Sequence, residues 1–489
     1  MHARARARPV LRAVCVVAGA PVACAQRFDL GSSRLHLHSS MQTKKRLAAL
    51  VTEYRPGTHA DVLLSKFIHG FACDEPQVHE PRSEIVAMYI DQFPEGEIGR
   101  EVAQQYGIPI FNSIQAALTL GDPNYYTTSA AGSRSTAHPD PSGGSPARGM
   151  MSEAPQLAVD GVIIIAEHGD FPWNEDEARI HPRRSFLEQT CAVFATCKRS
   201  VPVFNDKHLS PTFEESLWMV ERCREVGAPF MAGSSIPLNW RAPMLEHEAG
   251  AELEEAVAIG FSGLDIYGAH ALDALQAMVE RRGPTAAESG VAAVQCLTGE
   301  AIWAAGAAGR FSMSLARAAC AAVASSKHPL PIEDFTYPEG QPATAFILEY
   351  RDGFRATVLM LTDYLGDFGY AALVRGSSTP VCCEMFSQRA PKYGGTGKPA
   401  QGPVAHFSYL ARNVEEMMVT GVPSYPVERT LLSSGVLEAA LRSRRLGGAR
   451  LTTPHLNVVY KRVRDLPPYF PLGERPTGAT LLPWPPARL

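Results

Sequence analysis

The stretch Val201–Gly233 reads VPVFNDKHLSPTFEESLWMVERCREVGAPFMAG and decides the fold class of this 489-residue chain. Val201–Phe204 is an apolar run typical of a buried strand, and Thr212–Val226 carries apolar residues on one stripe, which predicts an amphipathic helix. Pro229–Ala232 is a second apolar run. A strand, a helix and a strand in this order predict a βα unit of a parallel sheet.

The same alternation extends towards the N-terminus. Gly161–Ala166 (GVIIIA) is a continuous apolar run, as expected of a strand covered on both faces. Further predicted strands are Leu47–Thr52, Glu84–Asp91 and Ile108–Phe111, and further predicted helices are His59–His69, Glu97–Tyr106, Ile114–Leu120 and Ser185–Cys197. The fold class is therefore α/β, with a Rossmann-like, doubly wound parallel sheet over residues 44–233.

The pattern changes after residue 233. Longer strands are predicted at Ala343–Tyr350, Phe354–Thr362, Tyr370–Arg375 and Val381–Phe386, the first two joined by the turn signal Arg351-Asp352-Gly353. Helices are predicted at Leu253–Ile259, His270–Arg281, Gly299–Ala308, His406–Thr420 and Arg429–Arg444. Residues 234–463 should form an α+β domain with a largely antiparallel sheet, which serves substrate binding or a homo-oligomer interface.

Three segments differ in composition from these two regions. Residues 1–43 form a targeting or disordered segment, because residues 1–28 contain arginines and an apolar stretch but no Asp or Glu. This pattern suits secretion, organelle import or an upstream start codon with a cytoplasmic protein behind it, so the compartment stays open. Residues 123–156 are a low-complexity insertion rich in Ser, Gly and Pro, and residues 464–489 are a Pro-rich tail.

Composition excludes several classes of protein. Hydrophobic residues make up 45% of the chain and charged residues 20%, as in a globular protein. The net charge of −4 gives no basic field for nucleic acid, and no apolar run has the length of a membrane span. The ten cysteines show no Cys-x-x-Cys pair and no zinc spacing. A small molecule is the expected partner.

Several motifs occur in an order that resembles the Gfo/Idh/MocA oxidoreductase family. The strand ending at Asp91 is followed by a helix and by YGIPIF (residues 106–111), and VDGVIIIA (residues 159–166) is similar to a later strand of that family. Asp206-Lys207-His208 takes the place of the family's Glu-Lys-Pro, and GLDIYGAHALD (residues 263–273) resembles its G-x-x-x-D-x-G-x-H-x-x-D segment. The resemblance runs from about residue 44 to 463, apart from the insertion.

The resemblance implies an enzyme that binds NAD or NADP and oxidises a secondary alcohol of a sugar or polyol. Lys207 and His270 fall on the catalytic lysine and histidine of the family. Asp91 matches the acidic residue on the adenosine ribose. Thr52, Arg55, Gly57, Glu167 and His168 stand at the other positions that would contact the cofactor. Asp265 is one position away from the aspartate that precedes the family's histidine, where this chain has Ile266.

The largest departure lies in the dinucleotide loop. The family's G-x-G-x-x-G is Thr52-Glu53-Tyr54-Arg55-Pro56-Gly57 here, so only the third glycine is kept. Tyr54 is expected to crowd the pyrophosphate and Glu53 to repel it, whereas the Arg55 guanidinium and the helix N-terminus after Gly57 are good phosphate binders.

Residue chemistry supports this interpretation and leaves two alternatives open. A lysine beside a carboxylate can orient a substrate hydroxyl, and a histidine near neutral pKa can accept its proton. The density of His, Asp and Glu near predicted strand ends also suits a metal-assisted hydrolase, lyase or isomerase, with Glu167, His168, Asp170, Asp206, His208 and His270 as candidates. However, no compact metal motif assigns a ligand set. The third possibility is a non-catalytic binding protein that keeps the fold.

Overall fold

The structure is a computed structural model, which describes residues 43–73, 78–125, 155–283, 287–387, 405–461 and 465–473. Two large sheets organise these residues. The strands are β1 Lys45–Val51, β2 Phe71–Ala72, β3 Val78–His79, β4 Ser83–Ile90, β5 Ile110–Phe111, β6 Gly161–Ile165, β7 Val203–Asp206, β8 Phe230–Gly233, β9 Trp240–Ala242, β10 Leu253–Gly260, β11 Val291–Thr298, β12 Thr344–Tyr350, β13 Arg355–Met360, β14 Phe368–Val374, β15 Val381–Phe386 and β16 Leu451–Thr452.

The helices are α1 His59–His69, α2 Gly99–Tyr106, α3 Ile114–Thr119, α4 Arg183–Cys197, α5 Phe213–Glu225, α6 Ile266–Val279, α7 Glu300–Ala307, α8 Met313–Ala322, α9 Ala405–Thr420 and α10 Glu428–Arg445. Local chemistry explains the ends of α5. The hydroxyl of Thr212 accepts a hydrogen bond from the backbone N–H of Glu215, and Gly227 follows the helix with φ +69°.

The first sheet is parallel and has the strand order β5-β4-β1-β6-β7-β8. This is the order of the doubly wound dinucleotide-binding fold, in which ligands lie at the carboxyl ends of the strands where the order reverses. The reversal falls between β1 and β6. The predicted α/β class is confirmed, and β6 is buried along its whole length as expected.

The two faces of the parallel sheet are covered by helices from distant parts of the chain. One face packs on α1 and on α9, whose Leu410, Val414 and Met417 join the core beside Leu47 of β1. The approach of α9 is close: a Cβ added to Gly161 would lie 2.3 Å from the sulfur of Met418. The opposite face shares its core with α4, α5 and the second sheet.

The second sheet has the order β16-β11-β12-β13-β10-β14-β15-β9 and is antiparallel except for the pair β10–β13. The predicted α+β architecture with a largely antiparallel sheet is therefore confirmed, and the predicted turn at 351–353 joins β12 to β13. Tyr350 and Gly353 close this turn through a backbone hydrogen bond, with Gly353 at φ +85°.

The prediction of a helix at Leu253–Ile259 is wrong, because this segment forms strand β10. It pairs with β13 on one side and β14 on the other, and all of its residues except Glu254 are buried. A segment buried on both faces has no polar stripe, so periodicity cannot separate helix from strand. Strand β11 and helix α8 were not predicted.

Most of the insertion at 123–156, the N-terminal segment and the end of the tail lie outside the described residues, so those predictions stay predictions. No helix in the described ranges combines the length and the apolarity that a membrane span requires.

Candidate active site at the carboxyl edge of the parallel sheet

Three adjacent strands of the parallel sheet deliver charged side chains to one place. His59 lies in the first turn of α1, just after β1; Glu167 follows β6; Asp206 ends β7 and Lys207 follows it. We call these four residues the strand-end cluster. Because parallel strands end at the same edge, residues far apart in sequence become neighbours here.

Lys207 lies at the centre of the strand-end cluster with only 1% of its surface exposed. Its Nζ donates a hydrogen bond to Glu167 Oε1 and lies 3.2 Å from His59 Nε2. Burial alone would raise the pKa of Glu167, but the charges of His59 and Lys207 outweigh burial and hold that pKa well below its ordinary value. Glu167 is therefore an ionised partner of Lys207.

His59 binds the two carboxylates of the cluster through one ring nitrogen. Its Nδ1 lies 2.7 Å from Asp206 Oδ2 and 2.9 Å from Glu167 Oε2. Burial alone would lower the pKa of His59, but the charges of Asp206 and then Glu167 raise it above its ordinary value. The ring of Phe407, from α9, packs edge-on against the imidazole.

His270 lies inside α6, which begins four residues earlier than predicted, and its ring centre is 5.8 Å from that of His59. Its Nδ1 is 2.5 Å from Ser234 Oγ, and the backbone N–H of Ser234 donates to Asp273 Oδ2. Burial, followed by the charge of Lys207, lowers the pKa of His270 well below its ordinary value. His270 is thus a neutral imidazole beside the cluster.

Asp265 belongs to a neighbouring polar group rather than to the contacts of Lys207 described above. Its Oδ1 lies 3.7 Å from His208 Nε2, and its Oδ2 accepts from the backbone N–H of Arg179 at 3.1 Å. The guanidinium of Arg183, itself 1% exposed, lies 3.4 Å from the same nitrogen of His208. Burial and then the charge of Arg183 lower the pKa of His208 well below its ordinary value.

The loop after β1 differs from the sequence-based expectation at Tyr54. Its side chain is 1% exposed and packs in the core beside Gly99 rather than over the loop. Glu53 is also buried, and its carboxylate accepts a hydrogen bond of 2.7 Å from Arg55 Nε. The expected steric obstacle is therefore absent at Tyr54, and the charge of Glu53 has a partner within the same loop.

The remaining candidate cofactor residues lie around this crevice. Gly57 has φ +75° and its N–H donates to Asp61 Oδ2, while the N–H of Thr52 donates to the carbonyl of Ile165 in β6. Asp91 is exposed at the end of β4 and accepts a hydrogen bond from the Tyr89 hydroxyl. His168 is one-third exposed, with Nε2 3.6 Å from Glu167 Oε1.

A loop crosses the carboxyl edge above β1. The backbone N–H of Asp170 donates to Gln92 Oε1 at 2.8 Å, and Gln92 Nε2 donates to the carbonyl of Asp170 at 3.3 Å. Asp170 follows β6 and Gln92 follows β4, so these bonds span the end of β1, which lies between the two strands. A dinucleotide in this crevice would have to lie against or displace this link.

A cavity of about 530 Å³ lies at the N-terminus of α6; its lining includes Asp265 but neither His270 nor a member of the strand-end cluster. Trp173 and Glu177 of the loop after β6 line it, together with Asp265, Tyr267 and Arg444. Trp173 is 53% exposed, and Glu177 forms an ion pair of 2.6 Å with Arg444. The lining thus combines aromatic surface with a paired charge, and its volume lies in the usual range for small-molecule sites.

No protein-family model and no curated protein sequence matches the chain. Solved structures share its fold. GenD2 from gentamicin A biosynthesis, solved in complex with NAD, is 12% identical with a TM-score of 0.50, and the match covers 87% of this chain and 99% of that one. At this identity the likeness shows the fold alone.

Two further structures align less closely. Myo-inositol 2-dehydrogenase from Lactobacillus plantarum is 9% identical with a TM-score of 0.46, and aldose-aldose oxidoreductase from Caulobacter crescentus is 15% identical with a TM-score of 0.43. Each match covers 84% of this chain and 99% of the other. The likeness to GenD2 agrees with the two-domain fold that the motif resemblance implies.

The structure brings Lys207, Glu167 and His270 to one place, with His168 at its rim. It also adds two residues to which the sequence analysis gave no role: His59, the first residue of a predicted helix, and Ser234. The signal for His59 was its position two residues after Gly57, where the first turn of α1 points at the carboxyl edge.

Proposed function

We propose that this protein is an NAD(P)-dependent oxidoreductase that acts on a secondary alcohol of a sugar or polyol. The observation that carries the proposal is the convergence of a buried lysine and a neutral histidine, Lys207 and His270, around His59 at the carboxyl edge of the parallel sheet. This edge is where the doubly wound fold binds its ligands.

The residues around the crevice suit a dinucleotide. The N-terminus of α1 and the Arg55 guanidinium, more than two-fifths exposed, would hold the pyrophosphate. Asp91 would accept hydrogen bonds from the adenosine ribose, and its carboxylate would repel a 2′-phosphate, which favours NAD over NADP. When bound, the nicotinamide ring accepts the hydride.

Lys207 and His270 would both act on the substrate hydroxyl, in different roles. Lys207, fixed by Glu167, would donate a hydrogen bond that orients the reacting hydroxyl. His270 would accept the hydroxyl proton at Nε2, which requires that Nδ1–H donates to Ser234 Oγ. A serine oxygen has two lone pairs, so it can accept this bond in addition to the one of 3.0 Å from the N–H of Ile236.

The cavity beside Asp265 supports a polyhydroxylated substrate. Its hydroxyl-bearing lining includes Thr344 and Thr362, and its aromatic lining includes Trp173 and Tyr267. The charges of Arg444 and Glu177 in the lining offset each other, so the cavity carries no strong field of one sign from this pair. An uncharged sugar or polyol fits this chemistry.

The test is a screen of polyols and sugars for reduction of NAD+ or NADP+. With an active substrate, Lys207→Met should impair turnover, because it removes the charge but keeps much of the stem, whereas the same change at the exposed Lys198 should not. Native turnover in Lys207→Met would refute the assignment.

The cavity has its own test. Trp173→Ala should raise KM for that substrate. Trp218→Ala is the control and should leave KM unchanged, because Trp218 packs under Arg184 beside a different cavity.

A further inference from the structure

His59 has more nearby hydrogen-bond acceptors than its Nδ1 has hydrogens to donate. Its Nδ1 can carry one hydrogen, yet carboxylate oxygens of two different residues lie within 2.9 Å of it: Asp206 Oδ2 at 2.7 Å and Glu167 Oε2 at 2.9 Å. One hydrogen on Nδ1 serves a single acceptor well and Asp206 is the nearer one, so Glu167 Oε2 has an ion-pair contact with His59 but no hydrogen-bond donor of its own among the described residues. Glu167 is 3% exposed, so this oxygen is an unsatisfied buried acceptor.

Asp206 has a similar deficit. It is 2% exposed, its Oδ1 also lacks a hydrogen-bond donor within the described residues, and His59 is its only ion-pair partner there. Lys207 contacts the other oxygen of Glu167, Oε1. Lys207 and His59 supply positive charge to these two carboxylates, but one oxygen of each has no donor among the described residues, and a buried acceptor left unsatisfied is costly.

A divalent cation would satisfy these groups together. One nitrogen from His59 and one oxygen each from Glu167 and Asp206 lie within 4.8 Å of one another. Ligands about 2.0–2.2 Å from one ion lie within about 4.4 Å of one another, so this group can close on an ion by small side-chain movements once the hydrogen on Nδ1 is lost. Imidazole with carboxylates suits Zn²⁺ or Mn²⁺. Glu167 and Asp206 lie at the ends of the adjacent strands β6 and β7, and His59 begins the helix that follows β1, so neighbouring elements of one sheet edge hold the three ligands together.

We propose that His59, Glu167 and Asp206 form a divalent metal site that binds Zn²⁺ or Mn²⁺. His59 contributes Nδ1, Glu167 contributes Oε2 and Asp206 contributes a carboxylate oxygen. His168 Nε2 lies 3.6 Å from the other oxygen of Glu167, and its side chain is one-third exposed. The site goes beyond the proposed oxidoreductase function and depends on neither cofactor nor turnover.

The experiment uses the full chain, treated with EDTA and exchanged into chelator-free buffer. ZnCl2 and MnCl2 are titrated separately by calorimetry, and the melting temperature is recorded with and without each ion. At least one ion should bind with a stoichiometry of one per chain and raise the melting temperature. Co²⁺ in its place should give an absorption spectrum that reports the ligand set.

The ligand variants decide the location of the ion. His59→Ala should weaken binding at least about tenfold and change the Co²⁺ spectrum, and Asp206→Asn provides a second variant of unchanged shape if His59→Ala does not fold. The matched control is His455→Ala, an exposed histidine outside the cluster. The proposal is overturned if neither ion binds, or if both ligand variants bind it as tightly as the control.

The outcome is separable from that of the oxidoreductase proposal. A chain that binds one metal ion but neither nicotinamide cofactor would keep the metal site and refute the dehydrogenase. If the chain binds a nicotinamide cofactor, oxidises its substrate equally fast with and without EDTA, and binds no metal ion, the dehydrogenase is kept and the metal site is refuted.

Discussion

Two groups of buried charges lie near opposite ends of α6, and they differ in how their oxygens are satisfied. The strand-end cluster lies near His270. The second group surrounds Glu280, the residue that follows α6, and we call it the helix-end cluster. It consists of Gln276, Glu280, Arg282, Glu288, Arg429 and Tyr460. In the helix-end cluster all four carboxylate oxygens accept hydrogen bonds, two on Glu280 and two on Glu288.

This difference indicates that the charges of the helix-end cluster stabilise the fold, whereas those of the strand-end cluster are available for chemistry. Arg429 binds both oxygens of Glu280, and the Tyr460 hydroxyl donates to Oε2 at 2.7 Å, so α6 and α10 are joined by fixed partners. The strand-end cluster instead leaves Glu167 Oε2 and Asp206 Oδ1 without donors. Unsatisfied buried polar groups at strand ends are typical of functional sites.

The largest expected effect is on catalysis at the strand-end cluster. His270→Ala should lower kcat about 10²–10⁴-fold, the usual contribution of one general base, with little change in cofactor affinity. The measurement is steady-state kinetics with the substrate found by screening, beside His455→Ala as the control. Near-native turnover in His270→Ala would show that this histidine is structural and that the general base proposed beside the strand-end cluster is absent.

The next effect is on stability at the helix-end cluster. Arg429→Met should cost about 3–5 kcal/mol, because it leaves the buried Glu280 carboxylate without its charged partner. Arg224→Met is the matched control: Arg224 pairs with Glu428 at the surface, where an ion pair contributes about 0–1 kcal/mol. Denaturant unfolding measures both variants. Equal losses would show that the helix-end pair is not the stabilising contact that its geometry indicates.

A smaller effect tests a buried carboxyl group that belongs to neither cluster. Burial raises the pKa of Asp367 from 3.8 to about 7, although Ser387 and the N–H of Phe368 donate to its Oδ1. The folded state therefore keeps a proton that the unfolded state loses. Its stability should fall as pH rises from about 4 to about 7, by up to about 1.4 kcal/mol per pH unit, and not beyond.

Asp367→Asn removes this titration but keeps the Oδ1 acceptor. The free energy of unfolding, measured at pH 5 and pH 8, should fall less between these values in the variant than in the natural chain. An identical pH dependence in both would show that Asp367 is ionised in the folded state and that burial does not raise the pKa of this carboxyl group.

Much of the parallel sheet could be predicted from the sequence because each of its elements has a local signal. The helix His59–His69 has the predicted bounds, and the Thr212 cap and the apolar run at 161–165 gave α5 and β6. The second sheet was harder. Its strand β10 contains Leu, Glu and Ala, which also favour helices, and only its pairing with distant β13 and β14 makes it a strand.

The site could be predicted in part for the same reason. Lys207 and His270 were singled out because each lies in a motif. Their approach to His59 depends on the order of the strands in the sheet, which cannot be inferred from local sequence pattern. Tyr54 was misjudged because a loop residue can turn its side chain into the core, and the sequence does not record that direction. The bond between Asp170 and Gln92 is likewise a tertiary contact.

The most direct test of the central claim is cofactor binding. NADH and NADPH are titrated by calorimetry into the full chain and into Asp91→Ala. The account predicts measurable binding, tighter for NADH than for NADPH, with the preference for NADH reduced in Asp91→Ala because the ribose partner is removed and the 2′-phosphate is no longer repelled. No binding of either dinucleotide at millimolar concentration would contradict it.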